Sequence, residues 1–156
     1  MRVEAYDISN IQGKFATGSM VTFLKGKPAK EWYRKFKIHI SGKPNDFAMM
    51  QELVSRRLRH EEWPYPDLII IDGGKPQLSA ALAAYKILNI KYKILIAALA
   101  KKHNELFFLR RSKPLLLKNL PQEVSNLLLH IRDEAHRFAI SYHRYLRKKD
   151  LLQEKS

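Results

Sequence analysis

Two aspartates stand at the ends of segments whose residues are typical of β-strands. Asp7 closes an alternating segment that begins at Arg2, and Asp72 follows the apolar run 68–71 directly before two glycines. If the two strands are adjacent and parallel, both carboxylates lie at one edge of a sheet, where ligands bind in open α/β folds. Carboxylates crowded there repel each other unless a cation lies between them, and their oxygens suit Mg²⁺ or Mn²⁺. The pattern indicates a divalent-metal site on Asp7 and Asp72, with a turn-starting role for Asp7 as the alternative.

The last predicted helix supplies a histidine with charged neighbours. His136 lies four residues after Arg132 and three after Asp133, positions that neighbour each other on a helix surface. An imidazole binds metals and transfers protons near neutral pH, which makes His136 a candidate metal ligand or acid–base group. A structural role on a half-apolar helix is the alternative. The other histidines have no comparable neighbours; they are His39, His60, His103, His130 and His143.

The first predicted helix offers a further carboxylate, at Asp46 or at Glu52. Asp46 stands where the helix begins, and an N-cap role explains an aspartate there without any chemistry. Glu52 lies nearly two turns further on. It is the alternative carboxylate if its face of the helix is turned toward Asp7 and Asp72. The residues alone leave both alternatives open.

The charge balance favours a polyanionic partner. The chain of 156 residues has 29 Lys and Arg against 15 Asp and Glu, a formal net charge of +14. Basic groups placed next to phosphates release condensed counterions, so this excess favours nucleic-acid binding. The stretch 25–43 interleaves cations with aromatic residues, and a solvated strand face is the alternative interpretation there. The candidate DNA contacts are Arg34 and Lys35 in this stretch and Lys75 and Arg137 beside the acidic positions.

Missing residue types and motifs exclude several classes of function. Without any cysteine, the chain has no disulfide, no Cys-ligated zinc and no thiol nucleophile. It contains neither Gly-x-Ser-x-Gly nor Gly-x-Gly-x-x-Gly, so serine-hydrolase and dinucleotide chemistry lack support. The segment 72–76 is not a P-loop, because Pro76 stands where a Ser or Thr would meet Mg²⁺. No apolar run approaches the ~18 residues that span a bilayer. We therefore expect a cytoplasmic domain with no membrane partner and no small-molecule cofactor.

The elements that must position these residues follow a β-β-β-α-β-α-β-α order. The predicted strands are 2–8, 18–24, 32–40, 67–71 and 92–98, with a short hairpin arm at 105–109. Three helices are predicted: the first begins at residue 46, and the others span 77–88 and 121–148. Turns are predicted at 10–13, 25–28 and 41–45. This order predicts an α/β fold in which an antiparallel meander continues into parallel strands. The result is a mixed five-stranded sheet with helices on both faces, which fits the ribonuclease-H-like fold among others. Residues 1–149 are assigned to one domain and 150–156 to a polar C-terminal tail.

Four motifs resemble, in order and spacing, the C-terminal endonuclease domain of UvrC, the incision subunit of bacterial nucleotide excision repair. The resemblance covers roughly residues 2–147, and its motifs lie at 6–13, 45–50, 70–78 and 132–140. It implies a ribonuclease-H-like nuclease that needs Mg²⁺ or Mn²⁺ and cuts damaged double-stranded DNA on the 5′ side of a lesion. The family's catalytic carboxylates fall on Asp7, Asp46 and Asp72 and its histidine on His136. Asp46 is thereby favoured over Glu52, and Asp7, Asp72 and His136 are the implied metal ligands.

The resemblance also implies partners, namely UvrB in the intact protein and UvrA upstream of it. The family's other parts are expected to lie outside these 156 residues. They are the nuclease domain for the 3′ cut, the UvrB-binding segment and a helix-hairpin-helix pair. A nucleic-acid-binding module that does not cleave is the alternative function on the same fold. A ribonuclease or a recombinase would share the site chemistry and differ in its substrate.

Overall fold

The computed structural model describes residues 1–10, 16–39 and 46–154. The strands are β1 (Arg2–Asn10), β2 (Ala16–Leu24), β3 (Lys27–Pro28), β4 (Arg34–Lys37), β5 (Leu68–Asp72), β6 (Leu95–Ala100), β7 (Glu105–Phe108) and β8 (Leu115–Leu116). The helices are α1 (Asp46–Leu58), α2 (Lys75–Ile87) and α3 (Gln122–Glu154), with short 3₁₀ turns at Lys30–Trp32 and Leu117–Asn119.

The described strands form one mixed sheet in the order β3-β2-β1-β5-β6-β7-β8, and β4 pairs with β2 beside β3. β1 is antiparallel to β2 and parallel to β5, and β5 is parallel to β6. The predicted fold class, a meander that continues into parallel strands, is therefore confirmed. The sheet has eight described strands rather than five. β7 is the predicted hairpin arm, and β3 and β8 are additional strands of only two residues each, too short to be predicted.

Helices cover both faces of the sheet, as predicted. α1 and α2 pack on one face, where Leu53 and Ala81 meet Ile69 and Ile71 of β5. α3 packs on the other face, where Ile131 is buried with Ile70. The unbroken apolar run of β5 follows from this arrangement, because its alternate residues face two different helical layers.

Two glycines allow the close approaches that place α1 and α2. A Cβ on Gly18 would lie 2.6 Å from Cδ1 of Leu53, so only glycine lets α1 lie this close to β2. Gly73 has φ +141°, and the Gly74 N–H donates to Oε1 of Gln77 at 2.9 Å. The chain therefore turns sharply after Asp72, and α2 begins two residues earlier than the predicted position 77.

Several predicted boundaries differ from the structure by a few residues, and the strand predicted at 92–98 is found at Leu95–Ala100. The described part of the strand expected at 32–40 is confined to β4, which begins after a 3₁₀ turn that Trp32 closes by donating its N–H to the Ala29 carbonyl at 3.0 Å. β1 extends to Asn10 because it pairs with β2 as far as Ala16. α3 continues through Glu154 and crosses the proposed boundary between the domain and its tail. Of the turn predicted at 10–13, Asn10 belongs to β1 instead and the rest lies outside the described residues, as does the turn predicted at 41–45. Among the described helices, none has an apolar stretch long enough to cross a bilayer.

A buried ion pair fixes α1 to the sheet at the end away from Asp7. Glu4 and Arg57 have fully buried side chains, and Nε of Arg57 lies 2.7 Å from Oε1 of Glu4. The Tyr6 hydroxyl also donates to Glu4 at 2.6 Å, and Arg57 donates to the Pro64 carbonyl at 2.7 Å. These bonds satisfy the charges that burial would otherwise make costly.

Candidate active site

The structure brings Asp7 and Asp72 together at one edge of the sheet. β1 and β5 are adjacent and parallel, and their register pairs Tyr6 with Ile71, so the next residue on each strand is an aspartate. Both carboxylates line the same two cavities, one on each side of this edge. The sequence suggested that Asp7 ends its strand. In the structure, Asp7 lies within β1, opposite Ser19 of β2. The turn-starting alternative for Asp7 is therefore wrong.

His136 approaches the same edge from α3. Its Nδ1 lies 3.7 Å from Oδ2 of Asp7, too long for a hydrogen bond but close enough for a charged imidazole to attract the carboxylate. Its side chain is 51 % exposed, whereas that of Asp7 is 11 % exposed. The imidazole is thus open to solvent, whereas the carboxylate beside it is largely buried.

Asp46 reaches the site from the opposite side of the sheet edge. It is the first residue of α1, and it lines the second cavity together with Asp7, Asp72 and Gln77. Glu52 instead accepts the backbone N–H of His39 at 2.9 Å and pairs with Arg56, and it lines neither of these two cavities. Of the two carboxylates that the sequence left open, the structure places Asp46 beside the pair.

Burial and the neighbouring Asp72 carboxylate, in that order, raise the pKa of Asp7 from 3.8 to about 6. Electrostatic attraction by His136 and Lys101 lowers the pKa of Asp7 and so acts in the opposite direction. A dication between the two adjacent carboxylates would relieve their mutual repulsion, which is the electrostatic condition for binding a cation there.

The donor set has the chemistry of a hard-cation site, since it consists of carboxylates and an imidazole. Within residues 1–10, 16–39 and 46–154, no three His, Asp or Glu side chains are grouped closely enough to hold a metal ion. The metal site on Asp7, Asp72 and His136 therefore stays a prediction.

Two cationic residues lie in the site that sequence reasoning did not assign to it. Lys101 and Arg132 line the cavity with Asp7, Asp72 and His136. Lys101 directly follows β6, the strand that pairs with β5 on the side away from β1. Arg132 donates to Oδ1 of Asn104 at 2.9 Å and so connects α3 to the turn that carries Lys101. No local pattern marked Lys101 as a site residue, because the sequence does not state that β6 lies next to β5.

Two of the four predicted DNA contacts lie near the carboxylates. Lys75 is exposed at the first position of α2, three residues after Asp72. Arg137 follows His136 on α3, where it is exposed and forms an ion pair with Glu134.

The other two predicted DNA contacts belong to β4. Lys35 pairs with Ser19, which in turn pairs with Asp7, so it lies two strands from the site, or roughly 10 Å. Arg34 is stacked between Trp32 and Trp63, with its guanidinium carbon 5.5 Å and 4.7 Å from the ring centroids. It also donates to the backbone carbonyls of Glu31 and Tyr33 at 2.9 Å, so its geometry is explained without DNA. A role for either residue in DNA binding stays a prediction.

The fold and its acidic edge define a nuclease domain of the ribonuclease-H-like class. Residues 1–140 match the family model of the UvrC RNase H endonuclease domain. The chain belongs to this family. The family assignment made from the four motifs is therefore confirmed.

Curated relatives agree with this assignment. UvrABC system protein C of Dictyoglomus thermophilum is 50 % identical over 152 residues, which cover 96 % of this chain and 25 % of the relative. The protein of the same name from Methanosphaera stadtmanae is 47 % identical over 160 residues, covering 94 % of this chain and 26 % of the relative. The chain thus spans about a quarter of the length of these relatives.

Solved nuclease structures are more distant. Ciona intestinalis endonuclease V, in complex with a 24mer DNA containing an inosine, is 16 % identical with a TM-score of 0.45, covering 64 % of this chain and 46 % of that chain. Thermus thermophilus RuvC is 14 % identical with a TM-score of 0.37, covering 64 % of this chain and 62 % of that chain. The fold assignment accordingly depends on the family match and the strand order of this chain.

Proposed function

We propose that this domain is a divalent-metal-dependent endonuclease that hydrolyses DNA phosphodiester bonds and makes the 5′-side incision beside lesions in nucleotide excision repair. Membership of the UvrC RNase H endonuclease family supports the reaction class. The observation that carries the proposal is the convergence of Asp7 and Asp72 at one sheet edge, with His136 Nδ1 3.7 Å from Asp7. These residues are far apart in the sequence, and two adjacent carboxylates destabilise each other unless a cation lies nearby.

Asp7 and Asp72 would hold Mg²⁺ or Mn²⁺, with His136 as a further ligand or as an acid–base group. The fit depends on the donor set, because two adjacent carboxylates repel each other and a dication relieves that repulsion. When bound, such an ion supplies Lewis-acid activation of a phosphate and of the attacking water. Asp46 faces the same carboxylates from the second cavity and is proposed as the third catalytic carboxylate.

The remaining charged residues are proposed to orient the DNA strand. Lys101 faces the carboxylates from the end of β6 and would place its ammonium next to the scissile phosphate. Lys75 and Arg137 flank the site and would contact the neighbouring phosphates, while Arg34 and Lys35 would contact the duplex further away. The cut would leave a 3′-hydroxyl and a 5′-phosphate.

The proposed partners follow from the relatives' name, UvrABC system protein C. We propose damaged double-stranded DNA as the substrate, with UvrB as the partner of the intact protein and UvrA acting before it, in the cytoplasm. Residues 1–149 are proposed as the catalytic domain and 150–156 as its tail.

Incision of nicked or bubble DNA tests this function. The wild-type chain and the variants Asp7→Asn and Asp72→Asn are compared with Mg²⁺, with Mn²⁺ and with EDTA, and the products are sized on a sequencing gel. We expect cutting by the wild type only, and only with a divalent ion. The control is Glu61→Gln, an exposed acid in the turn after α1, which should cut like the wild type.

Two outcomes would contradict the proposal. Equal cutting by the wild type and Asp7→Asn would exclude the assigned site. Tight DNA binding by the wild type without any cutting would favour the non-cleaving binding module.

A further inference from the structure

The last helix extends well beyond the sheet on which it packs. Among the described side chains of α3, the last buried one is Ala139, and those from Ile140 to Gln153 are exposed. Residues 140–154 would extend over about 22 Å at 1.5 Å per residue. We call these residues the α3 arm. In the part of the chain that the structure describes, the arm meets the sheet where Nζ of Lys35 on β4 lies 5.9 Å from the ring centroid of Tyr145, and its buried packing is confined to the first half of the helix.

The α3 arm is cationic. It contains four Lys and Arg residues against two acidic ones, and the four cations are Arg144, Arg147, Lys148 and Lys149. All four are exposed. Arg137, Arg144 and Lys148 follow one another at intervals of seven and four residues, which places them on one stripe of the helix.

This stripe begins at the candidate active site. A groove along α3 is lined by Asp133, His136, Arg137, Ile140, Ser141 and Arg144. His136 also lines the cavity that contains Asp7 and Asp72. A polyanion that enters the site past His136 would therefore continue along the groove toward Arg144.

We propose that the α3 arm is a contact surface for the backbone of duplex DNA that flanks the cleaved bond, with Arg144, Arg147 and Lys148 binding its phosphates. Lys148 follows His136 by twelve residues, or about 18 Å along the helix, which corresponds to about five base pairs at 3.4 Å each. Charge complementarity and continuity with the site favour DNA over a protein as the occupant. The apolar Leu151 and Leu152 lie beyond the cationic stripe.

This inference depends on the proposed function only for the identity of the ligand as DNA, so its test measures binding rather than cutting. Fluorescence polarisation with a labelled duplex of about thirty base pairs, without divalent ions, compares the wild-type chain with the triple variant Arg144→Gln, Arg147→Gln, Lys148→Gln. Glutamine preserves helix propensity, and circular dichroism checks that the helix is retained. The matched control is Lys86→Gln, Lys91→Gln, Lys93→Gln, three exposed lysines around the end of α2 and the entry to β6, opposite the acidic edge.

We expect the arm variant to bind DNA at least about tenfold more weakly in 0.1 M salt. The slope of log K against log salt should decrease in magnitude by about 3, since each phosphate contact contributes about 0.9. The difference from the wild type should disappear on a duplex trimmed to fewer than about five base pairs on the side that the arm contacts.

Three results would overturn the inference. The first is an unchanged DNA affinity in the arm variant, and the second is an equal loss of DNA affinity in the control variant. The third is a dimer of this chain that the arm substitutions disrupt while DNA affinity stays the same. If the wild type never cuts DNA but the arm variant alone loses affinity, the proposed function fails while this inference stands.

Discussion

Replacing Asp7 by asparagine should stabilise the domain at neutral pH while abolishing its incision activity. The carboxyl of Asp7 is buried beside Asp72, and its pKa is raised from 3.8 to about 6. The folded state therefore binds the Asp7 proton more tightly than the unfolded state does. Stability from this group is fully present below pH 3.8 and is lost as the pH rises through about 6.

The magnitude follows from the size of that shift. A rise of about 2 pKa units at about 1.36 kcal/mol per unit means that ionised Asp7 destabilises the fold by roughly 3 kcal/mol at pH 7. Asparagine has no such charge, so Asp7→Asn should recover up to that amount at pH 7 and little of it at pH 4.

Urea denaturation of both proteins between pH 4 and pH 7.5, in EDTA, measures this difference. Only the difference between variant and wild type is informative, because every other titrating group is shared. Asp133→Asn is the control: its side chain is 74 % exposed on α3, and it should change stability by no more than about 0.5 kcal/mol. A variant that is less stable than the wild type at pH 7, or a difference that does not depend on pH, would refute the electrostatic interpretation of the site.

Two further substitutions test other parts of the structure. Glu4→Gln should destabilise the fold by about 3–5 kcal/mol in urea denaturation, because it leaves the fully buried Arg57 guanidinium without its counter-charge; a change below about 1 kcal/mol would show that the ion pair is dispensable. Lys101→Met should slow incision by about 100-fold in single-turnover assays while DNA affinity stays nearly unchanged. The exposed Lys102→Met is its control, and equal rates in the two variants would remove Lys101 from the site.

Long, periodic segments allowed most of the fold to be predicted from the sequence. The apolar run of β5 predicted a strand buried on both faces, because each face must contact a helical layer. Segments without a period were not predicted: β3 and β8 have two residues each, too few to show any alternation. The end of α3 was placed too early because its apolar repeat ends where packing on the sheet ends, although no Gly or Pro stops the helix.

The candidate site was predictable where it depended on strand ends and unpredictable where it depended on strand order. Asp7 and Asp72 each follow strand-like residues, so their meeting required only that the two strands be parallel neighbours. Lys101 was missed because the sequence does not state that β6 lies next to β5. Glu4 and Arg57 are fifty-three residues apart, and Glu4 stands at a strand position where a polar residue is expected to face solvent. Long-range pairing of this kind carries no local pattern.

The position of a bound metal ion would decide whether the acidic edge is the catalytic centre. A crystal of this chain soaked in Mn²⁺ and measured at the manganese absorption edge gives that position from the anomalous signal. We expect a peak between the carboxylates of Asp7 and Asp72, and its loss in crystals of Asp7→Asn. Manganese bound elsewhere on the chain, with these two carboxylates left without a peak, would contradict the assignment.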